Sequence, residues 1–442
     1  MGRWSTRLVG IAALAAITGC AASPEPRGPC LSDRECRHDR ICHDGQCRFV
    51  EEVRSQLEQR AHALDTQGGE HGADAGAAAV VATIDAGAPP ETDASTAPIA
   101  LAERAAFMGG PRHTGRAQHR GPGSAPSQRW VHRTSARVYA QPVVGADGTI
   151  YVGSTDRSFV ALSPEGALRW RYSGGDRFYA TAALAPDGSL VVGNHDGSVV
   201  SLGTTGTVRW RRALGAPVDA SPAIDEDGTV YVAADGLYAL DAAGEIRWRV
   251  ASAGALRSSP AIHPSGLVIV GTADGRVLAV RRSGQVAWEA TAGASVDGGP
   301  SIGDDGTIYV GTDLGHVLAL EPATGAERWR FATEGDVRAT PAIAPDGTIV
   351  VGSDDRSIWG IAPDGTQRFR VRTSGRVRAS ARIDPEGRIY VGSQDDFLYV
   401  LAPDGALLYR HGLGHDVDST ATIAPDGTLL VGSDDGGVYA LR

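Results

Sequence analysis

Residues 220–249 read ASPAIDEDGTVYVAADGLYALDAAGEIRWR and contain four short apolar runs separated by turn residues. The runs are rich in Ala, Val, Ile, Tyr and Trp. The separators include Asp-Gly and Ala-Gly pairs, which favour tight turns because glycine tolerates positive φ. None of the separators is long enough to hold a crossover helix. The stretch therefore predicts four antiparallel strands.

This stretch is one copy of a repeat. The glycine of its first turn recurs at intervals of 38 to 41 residues, at Gly148, Gly188, Gly228, Gly266, Gly306, Gly347, Gly387 and Gly427. Four antiparallel strands in about 40 residues are typical of a propeller blade. The eight copies predict an all-β fold, an eight-bladed β-propeller of four-stranded antiparallel blades.

Side-chain sizes along each repeat agree with radial packing. The first run holds small residues, as an innermost strand near the axis requires, and the last run holds a large aromatic that can fill the wedge between blades at the rim. These aromatics are Trp170, Trp210, Trp248, Trp288, Trp329, Phe369 and Tyr409. The eighth repeat stops after its third run, and Gln128-Arg129-Trp130-Val131 precedes the first repeat. We expect this N-terminal strand to complete the last blade and so cover both sheet edges.

The N-terminus has the pattern of an exported lipoprotein. Residues 1–19 read as a signal peptide, with Arg3 and Arg7 before an apolar stretch from Leu8 to Thr18 that is too short to span a bilayer. Residues 17–20 (ITGC) resemble a bacterial lipobox, which predicts lipidation of Cys20. The alternative is an ordinary signal peptide with a chance cysteine. Ala21 is not the aspartate of inner-membrane retention, so we expect anchoring in the outer membrane, at its periplasmic face or at the cell surface.

Three further segments precede the propeller. After the lipidated residues 20–29, residues 30–47 form a cysteine-rich module in which Cys30, Cys36, Cys42 and Cys47 predict two disulfides with three open pairings. A zinc knuckle with His38 or His43 is the alternative. Residues 48–67 have helical spacing of apolar residues. Residues 68–105 are rich in Ala, Gly, Asp and Pro and predict a disordered tether. The propeller itself occupies residues 106–442.

Composition excludes several functions. The formal net charge is −10, which disfavours nucleic-acid binding. The sequence contains no lysine and no nucleophile-elbow, zinc-protease or P-loop motif, so lysine Schiff-base chemistry is excluded. His411, His415 and Asp416 lie close together in sequence, but histidines at this spacing are mostly solvated, and we predict no metal there.

Eight variable residues are candidates for a binding site. Each follows an apolar residue immediately before the small-residue run, and they are Tyr139, Tyr179, Asp219, Arg257, Asp297, Arg338, Arg378 and Asp418. Equivalent positions in eight blades predict a ring around one mouth of the central channel. One interpretation is a structural girdle of salt bridges between blades. The other is a polar funnel that recognises a peptide or a small polar ligand.

The repeats resemble the pyrroloquinoline-quinone-type (PQQ-like) propeller repeat. Residues 319–329 (ALEPATGAERW) look like its tryptophan-docking motif, and Gly110 to Arg116 resembles the segment that enters such propellers. The family includes quinoprotein dehydrogenases as well as non-enzymatic lipoproteins, one of them the propeller subunit of the outer-membrane β-barrel assembly machinery. Quinoproteins need calcium or a lanthanide, long insertions and often a cysteine pair, whereas residues 106–442 contain no cysteine.

These features together predict a non-catalytic, lipid-anchored scaffold at the bacterial cell envelope. We expect a monomeric propeller without a cofactor, and an unknown protein or peptide as its partner. The alternatives are an outer-membrane protein assembly factor and a PQQ-dependent oxidoreductase. The resemblance identifies a fold and leaves function to be argued from sites.

Overall fold

The computed structural model describes residues 40–43, 46–49, 106–252 and 256–442. Several predictions fall outside these residues: the signal peptide (1–19), the lipidation site Cys20 with residues 20–29, the cysteines Cys30 and Cys36, most of the helix (48–67) and the tether (68–105). The chain divides into two units, Met1–Thr92 and Asp93–Arg442.

The first unit contains a short hairpin. Strands β1 (Arg40–His43) and β2 (Gln46–Phe49) pair antiparallel, and the backbone of Cys42 lies opposite that of Cys47. Residues 48 and 49 therefore belong to a strand. The prediction that the helix begins at residue 48 is wrong, because the backbone of these two residues pairs with that of residues 40 and 41.

The second unit is the predicted propeller. Its described residues form eight four-stranded antiparallel sheets. The strands of blades 1 to 4 are β4 (Val143–Val144), β5 (Ile150–Gly153), β6 (Ser158–Leu162), β7 (Leu168–Ser173), β8 (Ala183–Leu184), β9 (Leu190–Gly193), β10 (Ser198–Leu202), β11 (Val208–Ala213), β12 (Ala223–Ile224), β13 (Val230–Ala233), β14 (Gly236–Leu240), β15 (Ile246–Ala251), β16 (Ala261–Ile262), β17 (Leu267–Gly271), β18 (Arg276–Arg281) and β19 (Val286–Thr291).

Blades 5 to 8 repeat this order. Their strands are β20 (Ser301–Ile302), β21 (Ile308–Gly311), β22 (His316–Leu320), β23 (Glu327–Ala332), β24 (Ala342–Ile343), β25 (Ile349–Ser353), β26 (Ser357–Ile361), β27 (Gln367–Arg372), β28 (Arg382–Ile383), β29 (Ile389–Gly392), β30 (Phe397–Leu401), β31 (Leu407–Gly412), β32 (Thr422–Ile423), β33 (Leu429–Gly432), β34 (Gly437–Leu441) and the N-terminal strand β3 (Gln128–Arg133). A short 3-10 turn, Phe107–Gly109, precedes β3.

The ring closes as predicted. Strand β3 pairs antiparallel with β34, so that Gln128 lies opposite Leu441 and Trp130 opposite Ala440. Each end of the chain thereby supplies strands to blade 8, and no blade is left with three strands. Closure removes the two unpaired edges that a linear array of blades would expose.

The core lies between neighbouring blades. Second and third strands are buried along almost their whole length, whereas fourth strands alternate between exposed and half-buried positions. One cluster, for example, joins Tyr309 and Val317 of blade 5 to Val351 of blade 6. At the turns, glycine permits the backbone that the strands need: Gly148 has a φ of +78°, and the amide of Thr149 donates to Asp147 Oδ1 (3.0 Å).

The rim aromatics hold adjacent blades together. The indole Nε1 of Trp329 donates to the carbonyl oxygen of Pro363 in the next blade (2.8 Å). Trp130 of β3 makes the same contact with Pro164 (2.9 Å), so the closing blade docks like the others. Among the described residues, there is no helix with the length and apolarity needed to cross a membrane.

Candidate functional site

The innermost strands define the two mouths of the central channel. Each of them is two residues long. Each of the eight variable residues predicted as a ring lies a few residues before one of these strands, and we call the end at which the innermost strands begin the ring mouth. The opposite mouth lies where the innermost strands end. Residues 106–119, the lead-in segment, cross that end, which we call the lead-in mouth.

An apolar residue precedes each ring residue and packs into the propeller. The apolar residue before each ring residue is buried, with an exposed fraction of at most 2%. These buried residues are Val138, Phe178, Val218, Leu256, Val296, Val337, Val377 and Val417. The ring residues themselves are half-buried, apart from the exposed Arg257. Their side chains are therefore available at the surface of the ring mouth.

An ion pair and a hydrogen bond connect two ring residues to the loop between the second and third strands of the preceding blade. The guanidinium of Arg378 donates to both oxygens of Asp354 (3.0 and 2.8 Å). Asp219 pairs with His195 Nδ1 at 2.8 Å. Because each pair joins two blades, these ring side chains are held in place before any ligand arrives.

Arg338 pairs with carboxylates outside the ring. It forms ion pairs with Asp313 (3.4 Å) and Asp336 (3.0 Å). The ring members Asp297 and Asp418 instead face other groups. Asp297 lies 3.9 Å from Arg257, and Asp418 accepts from the amide of Gln394 (3.0 and 3.1 Å).

The remaining arc of the ring is aromatic. The rings of Tyr139 and Tyr179 lie 5.7 Å apart between centroids. The Tyr139 hydroxyl donates to Asp434 (3.4 Å) and accepts from Arg137 (2.9 Å). The two tyrosines therefore form a stacking surface next to charged groups.

Asp434 is the most perturbed carboxyl group at this mouth. Burial, reinforced by the nearby charge of Asp418, raises its pKa from 3.8 to about 7 although Arg137 opposes the shift. Its side chain is 4% exposed, and Oδ1 has no hydrogen-bond partner among the described residues. This carboxyl group therefore titrates close to neutral pH.

From the sequence, we predicted no metal at His411, His415 and Asp416. The structure brings His415 and Asp416 together with Asp396, and their potential ligand atoms lie within 4.8 Å of one another. His411 is not a member of this group. Asp396 and His415 are exposed, and such surface groups commonly occur without an ion.

Equivalent positions just before the innermost strands carry hydroxyl groups that link neighbouring blades, and we call these positions the belt. The backbone amide of Thr181 donates to Ser221 Oγ in the next blade (3.0 Å), and that of Thr340 donates to Ser380 Oγ (2.9 Å). The belt positions are Gln141, Thr181, Ser221, Ser259, Gly299, Thr340, Ser380 and Thr420. Six of them carry a hydroxyl, and the lead-in segment explains the other two.

The lead-in segment adds a polypeptide layer to the ends of several innermost strands. The carbonyl oxygens of Pro111, Arg112 and Thr114 accept from the amides of Ile262 (2.7 Å), Ile302 (2.9 Å) and Ile343 (2.8 Å). Gln141 Oε1 accepts from the amide of Met108 (3.0 Å). The glutamine in the belt therefore fixes the start of this segment.

His113 accounts for the glycine in the belt. Its imidazole is buried, and Nδ1 donates to the carbonyl oxygen of Pro300 (3.0 Å). A Cβ atom on Gly299 would lie 3.2 Å from that nitrogen, so a larger residue would crowd the ring. Burial lowers the pKa of His113 to about 4, which keeps it neutral at pH 7.

A cavity of about 1040 Å³ lies at the lead-in mouth. Its lining includes Arg112, Arg116, Arg282 and Arg382 together with the carboxylates Asp225 and Glu226. Asp225 accepts two hydrogen bonds from Arg282 (2.7 and 2.8 Å). Calcium is bound mainly by carboxylate and carbonyl oxygens, whereas both oxygens of Asp225 already accept from a guanidinium, so this lining does not match the metal of a metal–quinone site.

Sequence reasoning missed His113 and Arg382. Arg382 stands in an innermost strand where seven blades carry Val, Ala, Ser or Thr. That break in the small-residue pattern was a usable signal. His113 had no comparable signal, because its partners lie almost 190 residues away.

The fold and the channel define a PQQ-like eight-bladed propeller. A family model described as outer membrane protein assembly factor BamB matches residues 161–296 and 274–384. The two matches together span residues 161–384, just over half of the 442-residue chain. The chain belongs to this family.

Solved structures share the fold at low sequence identity. BamB from Moraxella catarrhalis is 20% identical, with a TM-score of 0.61 over 72% of this chain and 99% of that one. A europium-containing methanol dehydrogenase is 14% identical, with a TM-score of 0.63 over 76% and 90%. Quinohemoprotein alcohol dehydrogenase from Comamonas testosteroni is 14% identical, with a TM-score of 0.68 over 78% and 81%. No curated protein matches the chain.

Proposed function

We propose that this chain is a non-catalytic, lipid-anchored scaffold of the bacterial cell envelope that binds a protein or peptide at the ring mouth. Membership of the BamB family supports a role in protein assembly. The observation that carries the proposal is the preformed ring. Arg378, Asp219 and Asp418 are already oriented by partners from the preceding blades, so fixing these side chains on binding costs little entropy.

The chemistry of the ring suits an extended peptide. Arg257 has a 69% exposed side chain, and within the described part of the chain its one ion pair is a long contact with Asp297, so its guanidinium is accessible to a carboxylate or backbone oxygen. Tyr139 and Tyr179 offer aromatic surface on another arc. We infer that the partner contributes both acidic or carbonyl groups and an apolar side chain.

More specifically, we propose that the protein assists outer-membrane protein assembly. In this proposal Cys20 carries the lipid, the outer membrane holds the protein, and the propeller presents its ring mouth to a component of the assembly machinery. The name of the matching family and the shared fold of the Moraxella protein support this choice. Oxidoreductase activity is the competing proposal, supported by the fold of the two dehydrogenases.

The test exchanges the three ring arginines for glutamine, as R257Q/R338Q/R378Q, in the full-length protein. The partner is captured by crosslinking in intact cells and identified by mass spectrometry. We expect the triple variant to fold and to lose at least about tenfold in yield, since hydrogen bonds to charged groups contribute about 1.5–3 kcal/mol each.

The matched control is R169Q/R209Q/R368Q. These arginines form ion pairs with Asp147, Asp187 and Asp346 along the outer strands, so the control removes the same number of positive charges and also breaks one ion pair per arginine. It should retain the partner. Equal yields from both variants would move the binding surface away from the ring. Quinone-dependent dye reduction by the purified protein would favour the oxidoreductase.

A further inference from the structure

Arg382 is anomalous among the residues that line the channel. It occupies a position that is small in the seven other blades, and its side chain is only 7% exposed. Its Nε and Nη1 atoms have no hydrogen-bond partner in the described part of the chain. A buried cation without a partner is costly, so such groups are generally paired or bind a ligand.

The other arginines of the cavity have counter-charges. Arg112 and Arg116 pair with Asp304 at 3.2 and 2.8 Å, and Arg282 pairs with Asp225. No described carboxylate reaches Arg382. Burial lowers its pKa to about 10, which leaves it cationic at neutral pH. Arg382 is therefore a buried positive charge in the cavity lining without a carboxylate partner among the described residues.

The lead-in segment is shaped around this guanidinium. A Cβ atom on Gly109 would lie 2.5 Å from Arg382 Nη1 and 2.7 Å from the backbone oxygen of Arg116, so a side chain here would clash with fixed backbone as well as with the guanidinium. Gly109 has a φ of +82°, and the preceding Met108 has a φ of +52°, which is unusual for a residue with a side chain. Strained backbone of this kind often marks a functional site.

We propose that the cavity at the lead-in mouth binds a carboxylate and that Arg382 is its anchor. A guanidinium presents parallel N–H groups that match the two oxygens of a carboxylate. The carboxylate belongs either to a free small dicarboxylic acid or to the C-terminus of a peptide. A cavity of about 1040 Å³ has room for several residues or for a small organic acid. This site is separate from the ring mouth and does not depend on the function proposed for it.

The experiment compares the full-length protein with the variants R382M and R382A, and with R169M as a control on the outer strand. Thermal unfolding and calorimetry are measured with succinate at constant ionic strength. A second pair of probes is a tetrapeptide with a free C-terminus and the same peptide as its C-terminal amide. R382A copies the alanine of blade 6 at this position, so it remains informative if the longer methionine disturbs packing.

Two opposite effects are expected. Without ligand, both Arg382 variants unfold at a higher temperature than the wild type, because an uncompensated buried charge is removed. With ligand, the wild type and R169M gain several degrees, whereas the Arg382 variants gain none and bind at least about tenfold more weakly.

The probes also identify the source of the carboxylate. Binding of succinate indicates a small acid, and binding of the free peptide but not its amide indicates a C-terminus. The proposal is overturned if the wild type responds to neither probe, or if the Arg382 variants respond as strongly as the wild type.

Discussion

At the rim, the indole of Trp329 both donates a hydrogen bond to the next blade and packs against it. The N–H group of Trp329 reaches a carbonyl oxygen of the next blade (2.8 Å), and its ring lies flat against Gly365 of that blade. Phe369 occupies the equivalent position one blade further on and packs against Gly405 without an N–H group to donate. Ring packing and the hydrogen bond can therefore be separated by mutation.

We expect W329F to cost about 1 kcal/mol of unfolding free energy, the usual value of one hydrogen bond. G365A should cost more, at least about 2 kcal/mol, because Gly365 has a φ of +86° and its Cβ would lie 2.9 Å from the indole of Trp329. Urea unfolding measures both. Gly215 has a φ of +87°, and a Cβ added there would meet no atom within 4 Å, so G215A isolates the backbone cost. Equal losses for G365A and G215A would contradict the role of the close approach.

Asp434 predicts a pH dependence of stability. Its pKa is about 7 in the folded protein against 3.8 as the reference value, so the folded state binds the proton more tightly. Its contribution is fully present below pH 3.8 and is lost as the pH rises through about 7. D434N should therefore be more stable than the wild type at pH 8, with a smaller difference at pH 5.

The control for this prediction is Asp304, whose contribution to stability changes with pH in the opposite direction. A hydrogen bond from Arg116 lowers the pKa of Asp304, so its contribution is present at neutral pH and lost on acidification. D304N should lower stability slightly at pH 8, by up to about 1 kcal/mol for an exposed pair. Thermal melts at both pH values test the pair. A D434N variant that gains no stability at pH 8 would show that the carboxylate is adequately solvated.

Among the elements, β3 has a distinct role because it supplies the outer strand of blade 8 from the far end of the chain. Deleting residues 1–133 should lower the melting temperature by at least about 5 °C and broaden the transition, since about 2 kcal/mol corresponds to such a shift in a large domain. Deleting residues 1–105 should leave it unchanged. Circular dichroism melts test both.

A third truncation separates β3 from the lead-in segment. Deletion of residues 1–119 keeps β3 and removes the contacts of Met108 and His113. Its melting temperature should lie between those of the other two truncations. If it matched the deletion of residues 1–133, the lead-in segment rather than β3 would close the molecule.

The strands were predictable from the sequence because their causes are local. Each is short and bounded by a turn residue such as Gly148, whose positive φ makes glycine the favoured choice. Closure by β3 was predictable as well, because the eighth repeat lacked a fourth run. The lead-in mouth was not, since the contact of His113 with Pro300 and the approach of Gly109 to Arg382 join segments distant in sequence. The positions of the ring residues could be proposed from the repeat register. The partners of Arg338 could not, because Asp313 belongs to another blade and is brought near only by the fold.

For the whole molecule, the proposed anchor is the property most open to test. C20S should release the protein from the membrane fraction, because the acyl chains that Cys20 is expected to carry provide its attachment. Fractionation and intact-mass measurement detect the change. The matched control is C36S, which alters a cysteine with no proposed lipid and should leave the protein in the membrane. Wild-type protein without acyl mass would contradict the anchor.

The pairing of Gln128 with Leu441 has a consequence for folding order. Pairs within blades 1 to 7 join residues close in sequence and can form as each blade is synthesised. The pairing of β3 with β34 must wait until the C-terminal strand is available, and contacts of such long sequence separation form slowly. Until then, β3 has no partner strand, and a truncated or stalled chain that lacks β34 would be the species most prone to aggregate.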